Sequence, residues 1–327
     1  MGTLVTIHVV GGIPAPENAG ETSQSIDRAF AWFQAVEDCC SRFDSRSELV
    51  QLCAQVGDPI AVGPLLYQLV QFALAVAEET GGAFDPTVGR RMEDRGFNRH
   101  YRTGEVRRAP ESDASVKPVD YRDVRIDSKR KTITLLRPLI LDLGAVAKGF
   151  AVDLAARELR SFANFAINAG GDLYLSGRNE RAEDWSIGIR HPRRDGELID
   201  SIRVSHRAVC TSGDYERRSS AEPGAHHILD PSTGVSPQAV ASVTVVAPSA
   251  VLADALATAA FVLGPSAGLA LFERLGVDGL IITPALERFA TRGMARDYQL
   301  GNSAILPHAQ GTAHHRPGDS PGVRRAR

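Results

Sequence analysis

A chain of 327 residues is long enough for one large domain or two smaller ones, and its 43% hydrophobic content is that of a protein with a buried core. The formal net charge of −2 gives no global attraction to nucleic acid or to an anionic membrane surface, so neither is expected as a partner. The most apolar stretch, Ala250 to Leu263, contains Asp254 and is too short to cross a bilayer, so no transmembrane segment is expected. Met1 to Val10 lacks the basic region, apolar core and cleavage site of a signal peptide. As written, the chain is expected in the cytoplasm; a start further upstream would allow a membrane-anchored or exported form. Cys39, Cys40, Cys53 and Cys210 contain no C-x-x-C pair and are expected to be reduced thiols rather than zinc ligands.

Thr3 to Val10 alternates and is β-branched, which predicts a strand, and Gly11 to Gly20 reads as a loop. Ile26, Ala29, Phe30, Phe33, Val36 and Cys40 recur at helical spacing and predict a helix over Ser25 to Cys40. A second helix is predicted from Pro64 to Glu79, stopped by Gly81-Gly82. Arg90 to Pro118 has little periodicity and is read as an irregular connection. Val124 to Leu136 reads as a hairpin turning at Asp127-Ser128-Lys129. Helical pattern returns from Ala145 to Arg160. Short strands are predicted near Phe165–Asn168, Leu173–Ser176, Trp185–Ile189, Ile202–Val204 and Ser242–Val246. Helices are predicted over Ser249–Leu263 and Pro265–Leu275, then a strand over Gly279–Thr283. The elements interleave without a βαβ repeat, so a single large α+β (mixed α/β) domain over 1–300 is expected. Residues 301–327 hold Pro, Gly, His and Arg with few apolar side chains and are expected to be a disordered tail.

Two segments carry the chemistry. From Ser249, a good N-cap, the sequence runs apolar on every face of a helix except at Asp254. A lone buried carboxylate needs a cation, and Thr258 lies on the same face one turn on. Together they are hard oxygen ligands of the kind Mg²⁺ takes. Equally, Asp254 could be an acid favoured by the helix dipole and Thr258 a threonine bonded to its own backbone. The second segment, Leu141 to Phe150, is a strand end, Asp142, a glycine and a helix bearing Lys148. It presents free backbone groups to a ligand, or it is an Asp142–Lys148 ion pair on a helix cap. It is neither a Walker A loop nor a dinucleotide fingerprint. Three further regions are polar, glycine-bearing turns: Gly81 to Gly89, Asn168 to Asp172, and Cys210 to Asp214 with His226 to Gly234.

In their order, these segments resemble the signature set of the ApbE-like family, the FAD:protein FMN transferases. Met1-Gly2-Thr3 is similar to the family's opening strand, and Ser41-Arg42-Phe43 with Ser47-Glu48-Leu49 to its early helical motif. Gly82–Gly89, Leu141–Phe150, Asn168–Asp172, Thr211–Arg217, His227–Gly234 and Ser242–Gly264 follow in the family's sequence, and the likeness runs to about residue 295. The resemblance implies that Asp254, Thr258 and the Ala145 carbonyl hold Mg²⁺. It places Ala83, Phe84 and Asp85 along the FAD site, Asp142 and Lys148 facing FAD, His227 beside it, and Met1 and Phe43 near the flavin. Phe43 departs from the family's usual tyrosine and lacks its hydroxyl.

The implied activity is Mg²⁺-dependent transfer of FMN from FAD to a Thr or Ser hydroxyl of an acceptor protein carrying an FMN-binding domain, with release of AMP. Asp254 and His227 are its catalytic candidates, His227 as either the base or a contact to FAD. The rival readings are a metal-dependent FAD pyrophosphatase yielding FMN and AMP, and a flavin-binding protein without catalysis. Loss of the metal ligands would point to the second rival, and Asp254 and Thr258 are both present.

Overall fold

The computed structural model describes residues 2–11, 19–99, 103–106, 118–219, 222, 224–298 and 305–306. The alternating opening forms β1 (Val5–Val10), and the helical spacing after it forms α1 (Ala19–Cys40), which begins at Ala19 rather than Ser25. A short α2 (Glu48–Cys53) is capped by Ser47, whose hydroxyl accepts from the Val50 amide at 3.1 Å. After β2 (Ile60–Ala61), α3 (Pro64–Glu79) occupies the predicted span with Pro64 in its first turn. The stretch read as irregular opens instead on α4 (Gly89–Asp94), whose six residues are too few for a period to show. The hairpin forms as β3 (Val124–Asp127) and β4 (Thr132–Leu135), with Val124 opposite Leu135, and β2 joins it as a third strand.

From α5 (Gly144–Glu158) onward the predicted elements appear in order: β5 (Asn164–Ala169), β6 (Asp172–Ser176), β7 (Trp185–Arg190) and β8 (Leu198–Val204). Then β9 (Arg207–Gly213) corrects the reading of Cys210 to Asp214 as a loop. Its polar residues concealed a strand, because Thr211 and Ser212 spend their hydroxyls on other side chains, Thr244 at 2.9 Å and Thr258 at 3.3 Å. After β10 (Ser242–Ala247), α6 (Ala250–Leu275) joins the two predicted helices across Gly264, which sits at φ 79°. That left-handed value is open to glycine and costly for other residues. The chain continues with β11 (Asp278–Ile282), β12 (Arg288–Ala290), α7 (Arg292–Asp297) and β13 (Ile305–Leu306). Sequence pattern indicated β11 but not β12, α7 or β13. Apart from β13, the expected tail lies outside the described residues.

Eight strands form one sheet in the order β1-β5-β6-β9-β10-β11-β12-β13, antiparallel except where β13 joins β12. Both faces are covered. On one face α5 and α6 pack, with α1 against α5, and Val243, Val245, Ala247 and Cys210 enter the main core with them. On the other, the two-stranded β7–β8 ribbon builds a second core from Trp185, Ile189, Ile202 and Val204 against Val209, Val246 and Leu280. Such double coverage explains why every residue of β10 is buried. It also fixes the register: Cys210 and Ser212 of β9 look toward α6, while Thr211 pairs with Thr244 on the ribbon side.

Counted across the kink at Gly264, α6 with its 26 residues is long and apolar enough to cross a membrane by length and composition. It is nevertheless the central core helix here, packed on β9, β10, β11 and α5. All four cysteines are free thiols, as expected.

Candidate active site

The site is built where α5 crosses the start of α6. Gly149 makes the crossing possible, because a β-carbon there would lie 2.6 Å from the Ala250 carbonyl carbon. Asp153, one turn further along α5, accepts from the amides of Ala250 at 2.7 Å and Val251 at 2.9 Å. Ser249 holds the N-cap position in extended conformation but makes no side-chain cap bond, so the expected cap is replaced by Asp153 acting across the junction. Burial pushes the Asp153 carboxyl up to about 6 against those two amide bonds.

This crossing delivers Asp254 to α5. Its Oδ2 accepts from the Gly149 amide at 3.2 Å and lies 3.6 Å from the Lys148 ammonium. Within α5, helix geometry aims the Ala145 carbonyl at the same Gly149 N–H that donates to Asp254. Thr258 is hydrogen-bonded to Ser212 of β9, not to its own backbone. The Lys148 ammonium is hydrogen-bonded to Asp172 at the start of β6, and the alternative pairing with Asp142 is not formed. Asp172 and Asp254 are 2% and 4% exposed and share this single ammonium. Burial and the neighbouring Asp172 push Asp254 well above the usual carboxylate range, with Lys148 pulling the other way. Burial opposes the charge on Lys148, but the two carboxylates outweigh it and hold the ammonium protonated. Cys210 is nearby, yet burial and the same carboxylates push its thiol far up and leave it inert.

The remaining predicted residues gather on the segments that lead into α5. Asp142 pairs through Oδ2 with the Arg42 guanidinium at 2.6 Å, while its Oδ1 accepts from the Gly144 amide at 2.7 Å. Arg42 also lies over the Phe43 ring at 4.4 Å, so one buried cation fixes both Asp142 and the aromatic expected near the flavin. Asp85 is buried and caps the turn Pro86–Val88, accepting from the Thr87 amide and hydroxyl at 2.8 and 2.7 Å and from the Tyr121 backbone amide at 3.0 Å. Its carboxylate therefore shapes the turn, while Phe84 is buried and Ala83 half-buried. The Asp142 amide ties this turn down by donating to the Pro86 carbonyl at 2.7 Å.

His227 is half-buried, its amide bonded to the Arg217 carbonyl at 3.0 Å and its Nδ1 buried without a hydrogen-bond partner. Burial lowers its pKa to about 3, and Arg217, His226 and Lys148 add to the effect. Its loop is tied to α4 by the Arg91 guanidinium, which donates to the Pro231 carbonyl. The adjacent His226 serves the fold instead: it is 2% exposed, bonded to the Pro237 carbonyl and set edge-on to Phe261. Met1 lies outside the described residues.

Sequence reasoning assigned no role to Asp172, Arg42, Ser212 or Asp153. For Asp153 a signal existed: it is an acid one turn after a glycine on an otherwise apolar part of α5.

Among solved structures, this sheet-and-helix architecture is the fold of ApbE flavin transferases. The ApbE protein of Thermotoga maritima aligns at a TM-score of 0.75 and 32% identity, covering 89% of this chain and 96% of that one. The flavin transferase ApbE from Vibrio cholerae aligns at 0.72 and 28% identity, covering 90% and 96%. The sequence profile of the ApbE family matches residues 1–281. The FAD:protein FMN transferase of Treponema pallidum is 34% identical over 322 residues, 90% of this chain and 85% of the relative. That of Haemophilus influenzae is 31% identical over 249 residues, 73% and 71%. This chain belongs to the ApbE family. The mixed α/β fold and the transferase class expected from the sequence both hold.

Proposed function

We propose that this chain transfers FMN from FAD to a Thr or Ser hydroxyl of an acceptor protein with an FMN-binding domain, releasing AMP, in a Mg²⁺-dependent reaction. The observation that carries the reading is the junction of α5 and α6, where the carboxylates of Asp254 and Asp172 are buried against the lone ammonium of Lys148. That cluster is short of positive charge and rich in hard oxygen donors, so it fits a small divalent cation. Asp254, Thr258 and the Ala145 carbonyl would hold it. Once bound, Mg²⁺ supplies charge neutralisation to the diphosphate of FAD.

The other steps fall to the chain's own groups. The acceptor hydroxyl oxygen attacks the FMN-side phosphorus, a new P–O bond forms, and the bond to the AMP phosphate breaks. Lys148, held protonated, offers positive charge to the diphosphate. His227, held neutral by burial, takes the hydroxyl proton on the ring nitrogen that faces the acceptor. Arg42 sets the direction of Asp142 and backs Phe43 where the flavin ring would lie.

The test is to incubate the purified protein with FAD, MgCl₂ and a flavoprotein FMN-binding domain, and to weigh the acceptor by mass spectrometry. A gain matching an FMN phosphoester, lost with EDTA, is expected. FMN and AMP without acceptor labelling would make the chain a pyrophosphatase, and bound FAD without turnover would make it a carrier.

A further inference from the structure

Lys148 and Asp172 do more than pair. The ammonium hydrogen-bonds to Asp172 and forms a looser ion pair with Asp254, 3.6 Å from its nearest oxygen. Asp172 is fixed at the first residue of β6, where it pairs with Ala169 of β5, so its carboxylate is mounted on the sheet. Asp254 and Lys148 are mounted on the two helices. The ammonium thus sits closer to the sheet carboxylate than to the helix carboxylate. Lys148 is 25% exposed at its side chain while both acids are nearly sealed, so it lies on the outer side of the cluster.

We propose that Asp172 is a positioning residue that holds the Lys148 ammonium off Asp254 and so keeps Asp254 available to the divalent cation; this rests on the metal reading above. Without Asp172, the ammonium has one buried carboxylate left to neutralise, and that is Asp254. Lys148 would then close its ion pair with Asp254 to a direct hydrogen bond and compete with the metal for the same oxygens. At these separations and low exposure the competition is strong, because charge–charge energy rises as the surroundings lose water. Asp172 is not itself a ligand in this arrangement. Its main effect on the metal passes through Lys148.

A double-mutant cycle read by metal binding tests it, with Mn²⁺ alone as the probe, followed by electron paramagnetic resonance and calorimetry without FAD. Asp172→Asn should weaken Mn²⁺ binding on the order of tenfold or more. Lys148→Met should tighten it, and Asp172→Asn with Lys148→Met should bind at least as tightly as the wild type. A double variant that stays as weak as Asp172→Asn would make Asp172 a direct ligand and overturn the proposal. So would a Lys148→Met protein that binds no more tightly than the wild type, a result that stands even if Asp172→Asn fails to fold. Asp254→Asn serves as the control. If the wild type binds no Mn²⁺, or if Asp254→Asn binds it unchanged, the metal reading itself falls and the proposal with it. If Asp254→Asn abolishes binding and Asp172→Asn leaves it intact, only the proposal falls.

Discussion

Gly149 and Val251 meet backbone to backbone: a β-carbon on Gly149 would come within 2.7 Å of the Val251 Cα. Backbone cannot rotate away as a side chain can, so the helices would have to separate. Gly149→Ala is expected to destabilise the fold by about 1–3 kcal/mol in urea unfolding. It should also weaken metal binding, since the same approach brings the Gly149 amide to Asp254. A variant with unchanged stability would show that the junction yields easily.

Asp153, one turn along α5, also secures that junction by taking the first two amides of α6. Removing a cap of this kind typically costs about 0.5–2 kcal/mol. Asp153→Ala should lose stability in that range, and Asp153→Asn, which keeps an acceptor oxygen, should lose less. Equal losses would mean that the carboxylate's charge against the helix N-terminus matters more than its geometry.

Asp254→Asn is expected to keep the fold and lose the activity. The substitution removes one of two carboxylates that share a single ammonium, so thermal unfolding should not move down appreciably. Transfer of FMN should drop on the order of 10²–10³-fold, the usual loss when charge stabilisation of a transition state is removed. Full activity at ordinary Mg²⁺ concentration would take Asp254 out of the metal site.

Asp254 was legible in the sequence because a single charge in an apolar helix has few explanations. The span Pro64–Glu79 was legible because a proline start and a glycine stop bracket one long periodic run. What stayed hidden depends on tertiary contact. Arg42 reaches Asp142 across a separation of 100 residues, and Asp153 reaches Ala250 across 97. No local pattern announces either pair. Strand β9 was hidden for another reason. Its hydroxyls read as loop chemistry until β10 supplies Thr244 on one face and α6 supplies Thr258 on the other. The Asp142–Lys148 pair failed because each had a stronger partner delivered from elsewhere: Arg42 to the first, Asp172 to the second.

His227 separates base from bystander. Burial, then Arg217, His226 and Lys148, holds its pKa at about 3, whereas an unfolded histidine titrates near 6.5. Between those values the folded state binds fewer protons than the unfolded one. The stability from neutral His227 is therefore complete above about pH 6.5 and is lost as pH falls toward 3. Urea unfolding of the wild type and His227→Gln from pH 8 to 4 should show the wild type losing ground as the pH drops; parallel curves would contradict a buried neutral ring. In catalysis, His227→Ala should slow transfer on the order of 10²–10⁴-fold at saturating FAD while FAD affinity stays near wild type. The bound diphosphate offsets the push from Arg217 and Lys148, so the acid limb of the wild-type kcat profile should lie at higher pH than that of kcat/KM. If the His227→Ala rate instead recovers at saturating FAD, the ring is a substrate contact, and positioning and charge are left as the main sources of rate.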